Sequence, residues 1–329
     1  MTTLRAGLIG VGMMGRNHAR VLRSLDGVEL VGVVDPGGDP HHAAGDVPLF
    51  ASLDELVSLG IDYAVVSIPT AHHLVAGVAL AGAGIHCLIE KPVADSAESA
   101  QALVNAFENA GLVGAVGHIE RYNPALQHAR ARLANGELGE VYQIVTRRQG
   151  PFPGRISDVG VVKDLGTHDI DLTAWVTQRA YRSVSAHIAH RSGRDHEDLV
   201  AVVGELEGGV VANHLVNWLS PLKERITVIT GERGTLVADT LTADLTLYEN
   251  GTVVSEWSAL ASFRGVTEGN MVRFAISKPE PLRTEHEAFR DAILGRPADI
   301  VTLEQGLRTV RVAEAVLESA RTGNSLAID

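Results

Sequence analysis

The sequence predicts an α/β domain built on a parallel sheet, followed by an α+β domain whose strands pair mainly antiparallel. Three observations predict this. Over about the first 120 residues, short apolar runs alternate with helical stretches, as they do when helices cover both faces of a sheet. Beyond that point the strand-like runs lengthen, lie closer together and are punctuated by glycine-rich turns. The length, 329 residues, accommodates two domains of roughly 150 residues each.

In the first domain, strands are expected at residues 5–9, 28–34, 63–68, 85–89 and 112–117. Helices are expected at 16–25, 53–59, 71–81 and 95–110, with Asp95 as the N-cap of the last. In the second domain a helix at 124–133 precedes strands at 141–148, 184–189, 199–206, 210–218, 225–230 and 245–248. Glu207-Gly208-Gly209 and Asn250-Gly251 read as hairpin turns. Helices are expected at 165–177, 285–294 and 303–321. The boundary is placed between residues 1–120 and 121–329.

Composition narrows the function. Apolar residues make up 45% and charged residues 21%, which is globular and argues against disorder. Twenty-eight basic against 40 acidic residues give a net charge of −12. That balance excludes a non-specific nucleic-acid or anionic-membrane binder, so an anionic ligand requires a local basic cluster. The single cysteine, Cys87, cannot form an internal disulfide, and the chain reads as cytoplasmic. The apolar run at 74–85 is too short to span a bilayer. The stretch after Arg5 runs into Arg16 without a cleavage pattern, so no signal peptide is expected.

Gly10-Val11-Gly12-Met13-Met14-Gly15 fits G-x-G-x-x-G. It follows a strand and opens a helix, and the next strand ends in Asp35, twenty residues beyond Gly15. That is the full context of a Rossmann dinucleotide fingerprint. The glycines let a pyrophosphate approach the helix N-terminus, where free N–H groups and the dipole favour negative charge. Asp35 should accept hydrogen bonds from the adenosine ribose and repel a 2′-phosphate. Pro36-Gly37-Gly38 supplies no arginine to hold one. NAD is therefore expected, with NADP as the alternative.

Glu90-Lys91-Pro92 ends the fourth predicted strand, at the sheet edge where such folds bind ligands. Lys91 there could polarise a carbonyl or stabilise an alkoxide, or be a solvated surface lysine. Pro92 would fix the backbone, with a cis bond as one option. Asp164 and His168 are four apart at the start of a predicted helix, with Asp171 and Trp175 on the same stripe. A histidine beside a carboxylate is a usable general base. Spacing alone leaves a helix cap and a packed histidine equally open. Gly166 inside that helix suggests a close approach. His168, Asp164 and Cys87 are metal-ligand types, but no short-spaced Cys/His pairs or His-Glu-x-x-His helix accompany them, and no metal is expected.

The fingerprint, Glu90-Lys91-Pro92 and Lys163-Asp164-Leu165-Gly166-Thr167-His168 together resemble the glucose-fructose oxidoreductase / inositol dehydrogenase / MocA family over essentially the whole chain. The resemblance implies a Rossmann domain, then a C-terminal domain with a large open, mostly antiparallel sheet whose exposed face makes a homodimer or homotetramer contact. It implies that Lys91, Asp164 and His168 are catalytic. It also implies that Pro69, Thr70, His73, Glu90 and Lys91 join Gly10, Gly12, Met13, Met14, Gly15 and Asp35 around the dinucleotide. The stretches 117–124 and 150–162 resemble the sugar-nucleotide branch, which includes UDP-N-acetylglucosamine 3-dehydrogenases. Arg121, Arg155 and Lys163 would then be cationic contacts, Asn123 a hydrogen-bonding group, and Tyr122 and Phe152 flat surfaces for the substrate. Arg147-Arg148 reads instead as a solvated or subunit-contact pair. The implied activity is hydride transfer between a nicotinamide and a sugar carbon, C3 of a UDP-amino sugar. A ketoreductase using NADP(H), a polyol or inositol dehydrogenase, and a non-catalytic dinucleotide sensor are the alternatives. Keeping Lys91, Asp164 and His168 together argues against the sensor.

Overall fold

The computed structural model describes residues 3–154, 159–251 and 268–328. Its helices are α1 (Met13–Ser24), α2 (Leu53–Val57), α3 (His73–Gly82), α4 (Ala97–Ala110), α5 (Pro124–Ala134), α6 (Thr167–Thr177), α7 (Pro281–Ile293) and α8 (Leu303–Thr322). The chain divides into two compact units. One is Met1–Ile119 with Pro279–Glu314, and the other is Glu120–Lys278 with Ala315–Asp329.

The first unit holds a six-stranded parallel sheet: β1 (Leu4–Ile9), β2 (Val28–Val34), β3 (Leu49–Phe50), β4 (Tyr63–Val66), β5 (His86–Glu90) and β6 (Gly114–Gly117). Their order is β3-β2-β1-β4-β5-β6. This is the doubly wound arrangement, with its switch point between β1 and β4. The strands are buried on both faces and accordingly read as apolar runs. On one face α1 and α7 pack Ala19, Leu22 and Phe289 against Leu8, Tyr63 and Leu88. On the other, α3 and α4 pack Leu80, Leu103 and Phe107 against Ile9, Val66 and Ile89. The same core takes in Leu303, Leu307 and Val310 of α8.

That packing corrects the contiguous division at residue 120. Phe289 stacks edge-on against Tyr63 at 5.5 Å, and α8 belongs to the first unit up to Glu314 and to the second from Ala315. Two smaller expectations also change. Ser96, not Asp95, caps α4, its hydroxyl accepting from the Ser99 N–H at 3.1 Å. The two-residue strand β3 was not anticipated.

The second unit holds a nine-stranded sheet, as the sequence led one to expect of a largely antiparallel domain. Its strands are β7 (Val141–Pro151), β8 (Tyr181–Ala189), β9 (Leu199–Leu206), β10 (Val211–Asn217), β11 (Leu219–Gly231), β12 (Gly234–Asp239), β13 (Asp244–Asn250), β14 (Glu268–Arg273) and β15 (Leu326–Ala327). The order is β14-β13-β12-β11-β7-β10-β9-β8-β15, antiparallel except for the β7–β10 pair. Gly208 and Gly209, both at positive φ, turn the chain between β9 and β10. Asn250-Gly251 borders residues outside those described, and β13 pairs with the strand described from Glu268, Asn250 lying opposite Glu268. Side chains alternate along β9, with Val200, Val202 and Leu206 buried and Val203 and Glu205 exposed. Tyr142, Val203, Val211 and Leu215 are exposed apolar residues of this sheet.

Candidate dinucleotide and catalytic sites

In the first unit the glycine-rich loop leaves β1 and enters α1, with Gly12 as the N-cap. The three glycines are required for different reasons. Gly10 sits at φ +90, and a Cβ there would lie 2.3 Å from the Ser67 carbonyl oxygen. A Cβ on Gly15 would lie 1.9 Å from the Gly10 carbonyl oxygen. Both therefore serve the protein's own backbone packing. Gly12 is exposed, and a Cβ there would meet nothing within 4 Å. A bare helix N-terminus behind an open glycine fits the pyrophosphate of a dinucleotide. Met13 is 48% exposed and Met14 half-buried beside it.

Asp35 ends β2, and its two oxygens accept the backbone N–H groups of Val11 and Gly37, each at 2.9 Å. The carboxylate is thus aimed by the loop it serves, and each oxygen keeps a lone pair for a ribose hydroxyl. Pro69 is exposed and Thr70 half-buried just beyond β4. His73 is placed differently from the expectation that it lines the dinucleotide. It is 1% exposed, and its nitrogens lie 3.0 Å from the carbonyl oxygens of Pro92 and Ile68. Burial lowers its pKa against the pull of those carbonyls. His73 ties the loop after β4 to the Glu-Lys-Pro segment.

Glu90 ends β5, Lys91 is half-buried, and the Lys91–Pro92 bond is cis. Glu90 is buried, yet its carboxylate lies below the usual range. Burial pushes it up, but the hydrogen bond and charge of His18, the charge of Lys91 and the Lys91 N–H together outweigh that.

In the second unit the predicted helix at 165–177 begins one turn earlier, as a π turn over Val162–Gly166 that runs into α6. Asp164 lies in the π turn and is 8% exposed; His168 lies in the first turn of α6, half-buried. Neither the π turn nor α6 has a side-chain cap, so the capping alternative for Asp164 does not hold. Glu197 braces the start of the turn. Its carboxylate accepts the Val162 N–H at 3.0 Å, its backbone carbonyl accepts the Val161 N–H at 3.0 Å, and a Cβ on Gly160 would meet that carboxylate at 2.0 Å. Gly166 is not forced by its protein neighbours, since a Cβ there would make only ordinary contacts.

The residues named for substrate contact are placed as follows. Arg121 is buried and bonds both oxygens of Asp171, at 2.8 and 2.6 Å, so its charge is compensated inside the protein. Tyr122 is 5% exposed. Asn123 caps α5 through the Ala125 N–H and donates to the Thr240 carbonyl. All three side chains are buried in the second unit. Lys163 is half-buried in the π turn. Arg155 lies outside the described residues. Phe152 packs edge-on against Trp218, with the Arg194 guanidinium over both rings. Arg147 pairs with Glu224 at the surface, but Arg148 is buried between Asp169 and Glu120, at 3.0 and 2.8 Å, which corrects its reading as a solvated residue.

Residues 4–118 match the family described as an oxidoreductase family with an NAD-binding Rossmann fold, and residues 126–237 match the GFO/IDH/MocA C-terminal domain. The chain belongs to this oxidoreductase family. It is 33% identical to a UDP-N-acetylglucosamine 3-dehydrogenase of Acidithiobacillus ferrooxidans over 65% of this chain and 66% of that relative. It is 26% identical to inositol 2-dehydrogenase 2 of Saccharopolyspora erythraea over 99% of this chain and 96% of that one. The solved structure of UDP-N-acetylglucosamine 3-dehydrogenase GnnA from Acidithiobacillus ferrooxidans superposes with a TM-score of 0.85 at 28% identity, covering 98% of this chain and 99% of that one. Among the described residues no helix of the enzyme is long and apolar enough to cross a membrane.

Sequence reasoning missed Glu197, His18, Glu285 and His286. A signal existed for the last three. Leu282, Glu285, His286 and Phe289 are the buried positions of α7, and His18 shares the buried face of α1 with Gly15, Ala19 and Leu22. Titratable groups at core positions of an amphipathic helix mark a buried polar cluster. Nothing local marked Glu197, which acts on residues 35 positions away.

Proposed function

We propose that the enzyme is an NAD-dependent dehydrogenase acting on a ring carbinol of a sugar nucleotide, at C3 of a UDP-amino sugar. The observation that carries this reading is chemical. A chain with an open dinucleotide cradle at Gly12 also holds a half-buried histidine four residues after a buried carboxylate. The substrate class is taken from the relatives, whose names include a UDP-N-acetylglucosamine 3-dehydrogenase.

NAD, when bound, supplies the nicotinamide carbon that accepts a hydride from the substrate C–H. The open Gly12 would let the phosphates reach the N–H groups opening α1 while Gly10 and Gly15 shape the loop, and Asp35 would take the adenosine ribose. His168 removes the hydroxyl proton, and Asp164 orients the imidazole or hydrogen-bonds the sugar. The Lys91 ammonium stabilises the alkoxide as it forms and the ketone oxygen after it. Asp35 and the absence of an arginine in Pro36-Gly37-Gly38 select NAD over NADP. Cytoplasmic residence and a homodimer or homotetramer closed through the exposed sheet residues complete the proposal.

The test is the near-ultraviolet absorbance of reduced nicotinamide. Purified enzyme is mixed with NAD and UDP-N-acetylglucosamine, beside UDP-glucose, free N-acetylglucosamine and myo-inositol, each repeated with NADP and with 2-oxoglutarate as an acceptor. A rise confined to the amino-sugar nucleotide with NAD is expected. A rise with myo-inositol instead would move the enzyme to the polyol dehydrogenases. H168N and K91A should each lower turnover by about a hundredfold or more. Wild-type turnover in both would overturn the assignment of roles.

A further inference from the structure

Four titratable side chains meet inside the first unit where nothing above required them. His18 of α1 is fully buried. Its Nε2 lies 2.8 Å from Glu90 Oε1 and its Nδ1 lies 2.8 Å from Nε2 of His286 on α7. The two imidazoles meet edge to face, at 5.1 Å between centroids. The other oxygen of Glu90 accepts the backbone N–H of Lys91 at 3.1 Å. Glu285, also buried, neighbours this chain, and the charge of Glu90 raises its pKa further above the range that burial already sets. His73 and Lys91 are the remaining titratable groups around Glu90.

The proton positions are constrained. An ionised Glu90 can only accept, so His18 Nε2 must carry a hydrogen. Burial and the neighbouring His18 hold His286 neutral, and a single hydrogen is shared between His18 Nδ1 and His286 Nε2. His18 Nε2–H and the Lys91 N–H both donate into the same carboxylate, and His286 of α7 bonds the other nitrogen of His18. Among the described residues no group of three or more histidine, cysteine or acidic side chains is disposed to hold a metal, so the cluster is a hydrogen-bonded relay.

We propose that His18, backed by His286, is a positioning residue for Lys91. It clamps Glu90 between the helix that receives the dinucleotide and the segment that carries the lysine. His18 lies three residues after Gly15, on the same face of α1. The clamp therefore ties the helix whose N-terminus takes the pyrophosphate to the backbone on which Lys91 sits. The proposal rests on the catalytic reading of Lys91, and its test separates the two.

The enzyme has four lysines, Lys91, Lys163, Lys223 and Lys278. Protein labelled with 15N-lysine therefore shows few backbone amides, and K91R assigns the one that matters. Glutamine at position 18 places its amide nitrogen where Nε2 was, and asparagine where Nδ1 was. H18Q should keep Lys91 amide exchange and kcat within about threefold of wild type. H18N and H18L should speed that exchange and lower kcat by about tenfold or more, with KM and NAD affinity changed far less. E90Q, which leaves one acceptor oxygen for two donors, should speed exchange in the same way and covers the case of a poorly folding His18 variant. Equal behaviour of H18Q and H18N, or unchanged exchange in H18L and E90Q, overturns the proposal. Wild-type turnover in K91A would remove the catalytic reading of Lys91 alone, and the exchange pattern would still decide the clamp.

Discussion

In the first unit the candidate ligand-facing groups are mostly backbone: N–H donors at the start of α1, a glycine kept open, and a carboxylate held by two backbone donors. In the second the candidate groups are side chains, Asp164 in a π turn whose first residues bond Glu197 and His168 in the first turn of α6. A backbone site is built from local φ/ψ and steric rules, so it is encoded where it stands. A side-chain site on an irregular turn depends on long-range packing, and π turns of this kind recur at functional sites. The two regions should therefore break in different ways.

The sharpest form of that contrast lies within the glycine motif itself. Gly15→Ala would drive a methyl group to 1.9 Å from a backbone oxygen that cannot yield. It should cost the first unit about 3 kcal/mol or more, seen as a large fall in Tm or as loss of soluble protein. Gly12→Ala meets no protein atom and should leave Tm unchanged while weakening NAD binding by about tenfold or more. Isothermal titration with NAD alongside thermal melts checks both. Equal effects from the two substitutions would end the idea that one glycine serves the fold and the other the ligand.

The second unit should respond to its support residue. Glu197→Ala leaves the buried Val162 N–H without its acceptor, a loss of roughly 1–3 kcal/mol. It also frees the π turn to relax toward an α-helix, which would rotate Asp164 away from its present place. Turnover should fall by about tenfold to a hundredfold, because sub-ångström misplacement of a catalytic group is expensive. Glu197→Gln keeps an oxygen as acceptor and should stay within about threefold of wild type. Steady-state kinetics and chemical denaturation of the pair decide it, and a tolerant E197A would mean that the turn is held by its own sequence.

The same contrast explains what could be read from the sequence. The strand–glycine loop–helix start and Asp35 were legible because turn, cap and spacing are local. Asp164 and His168 were legible as a pair, but the π turn beneath them was not, since a five-residue turn and a four-residue turn place similar residues in similar order. The protein partners of Arg121 and Asn123 were not legible for a related reason. A charged or amide side chain in a loop looks available until the partner is known, and Asp171 and the Thr240 carbonyl lie 50 and 117 residues away. The return of Pro279–Glu314 to the first unit was hidden likewise, because an amphipathic helix does not record which sheet it will cover.

The smallest expected effect concerns a buried histidine on the second unit's sheet. His214 bridges Thr146 and Tyr181, at 2.7 Å to each hydroxyl. Burial lowers its pKa to about 4. In the unfolded chain it titrates near 6.5. Below that pH the unfolded state binds the proton and the folded state does not, so this contribution to stability is complete above about pH 6.5 and is lost as the pH falls toward 4. Between pH 7 and pH 5 the loss amounts to about 2 kcal/mol. His214→Gln keeps one donor and one acceptor without a titrating group. It should melt lower than wild type at pH 7 and lose less stability on acidification. His286 of the first unit is depressed by burial in the same direction and adds to the acid sensitivity of wild type and variant alike, so it cancels in the comparison. Parallel slopes of stability against pH for the two proteins would show that His214 can be protonated in place, and that the sheet tolerates a charge beneath α6.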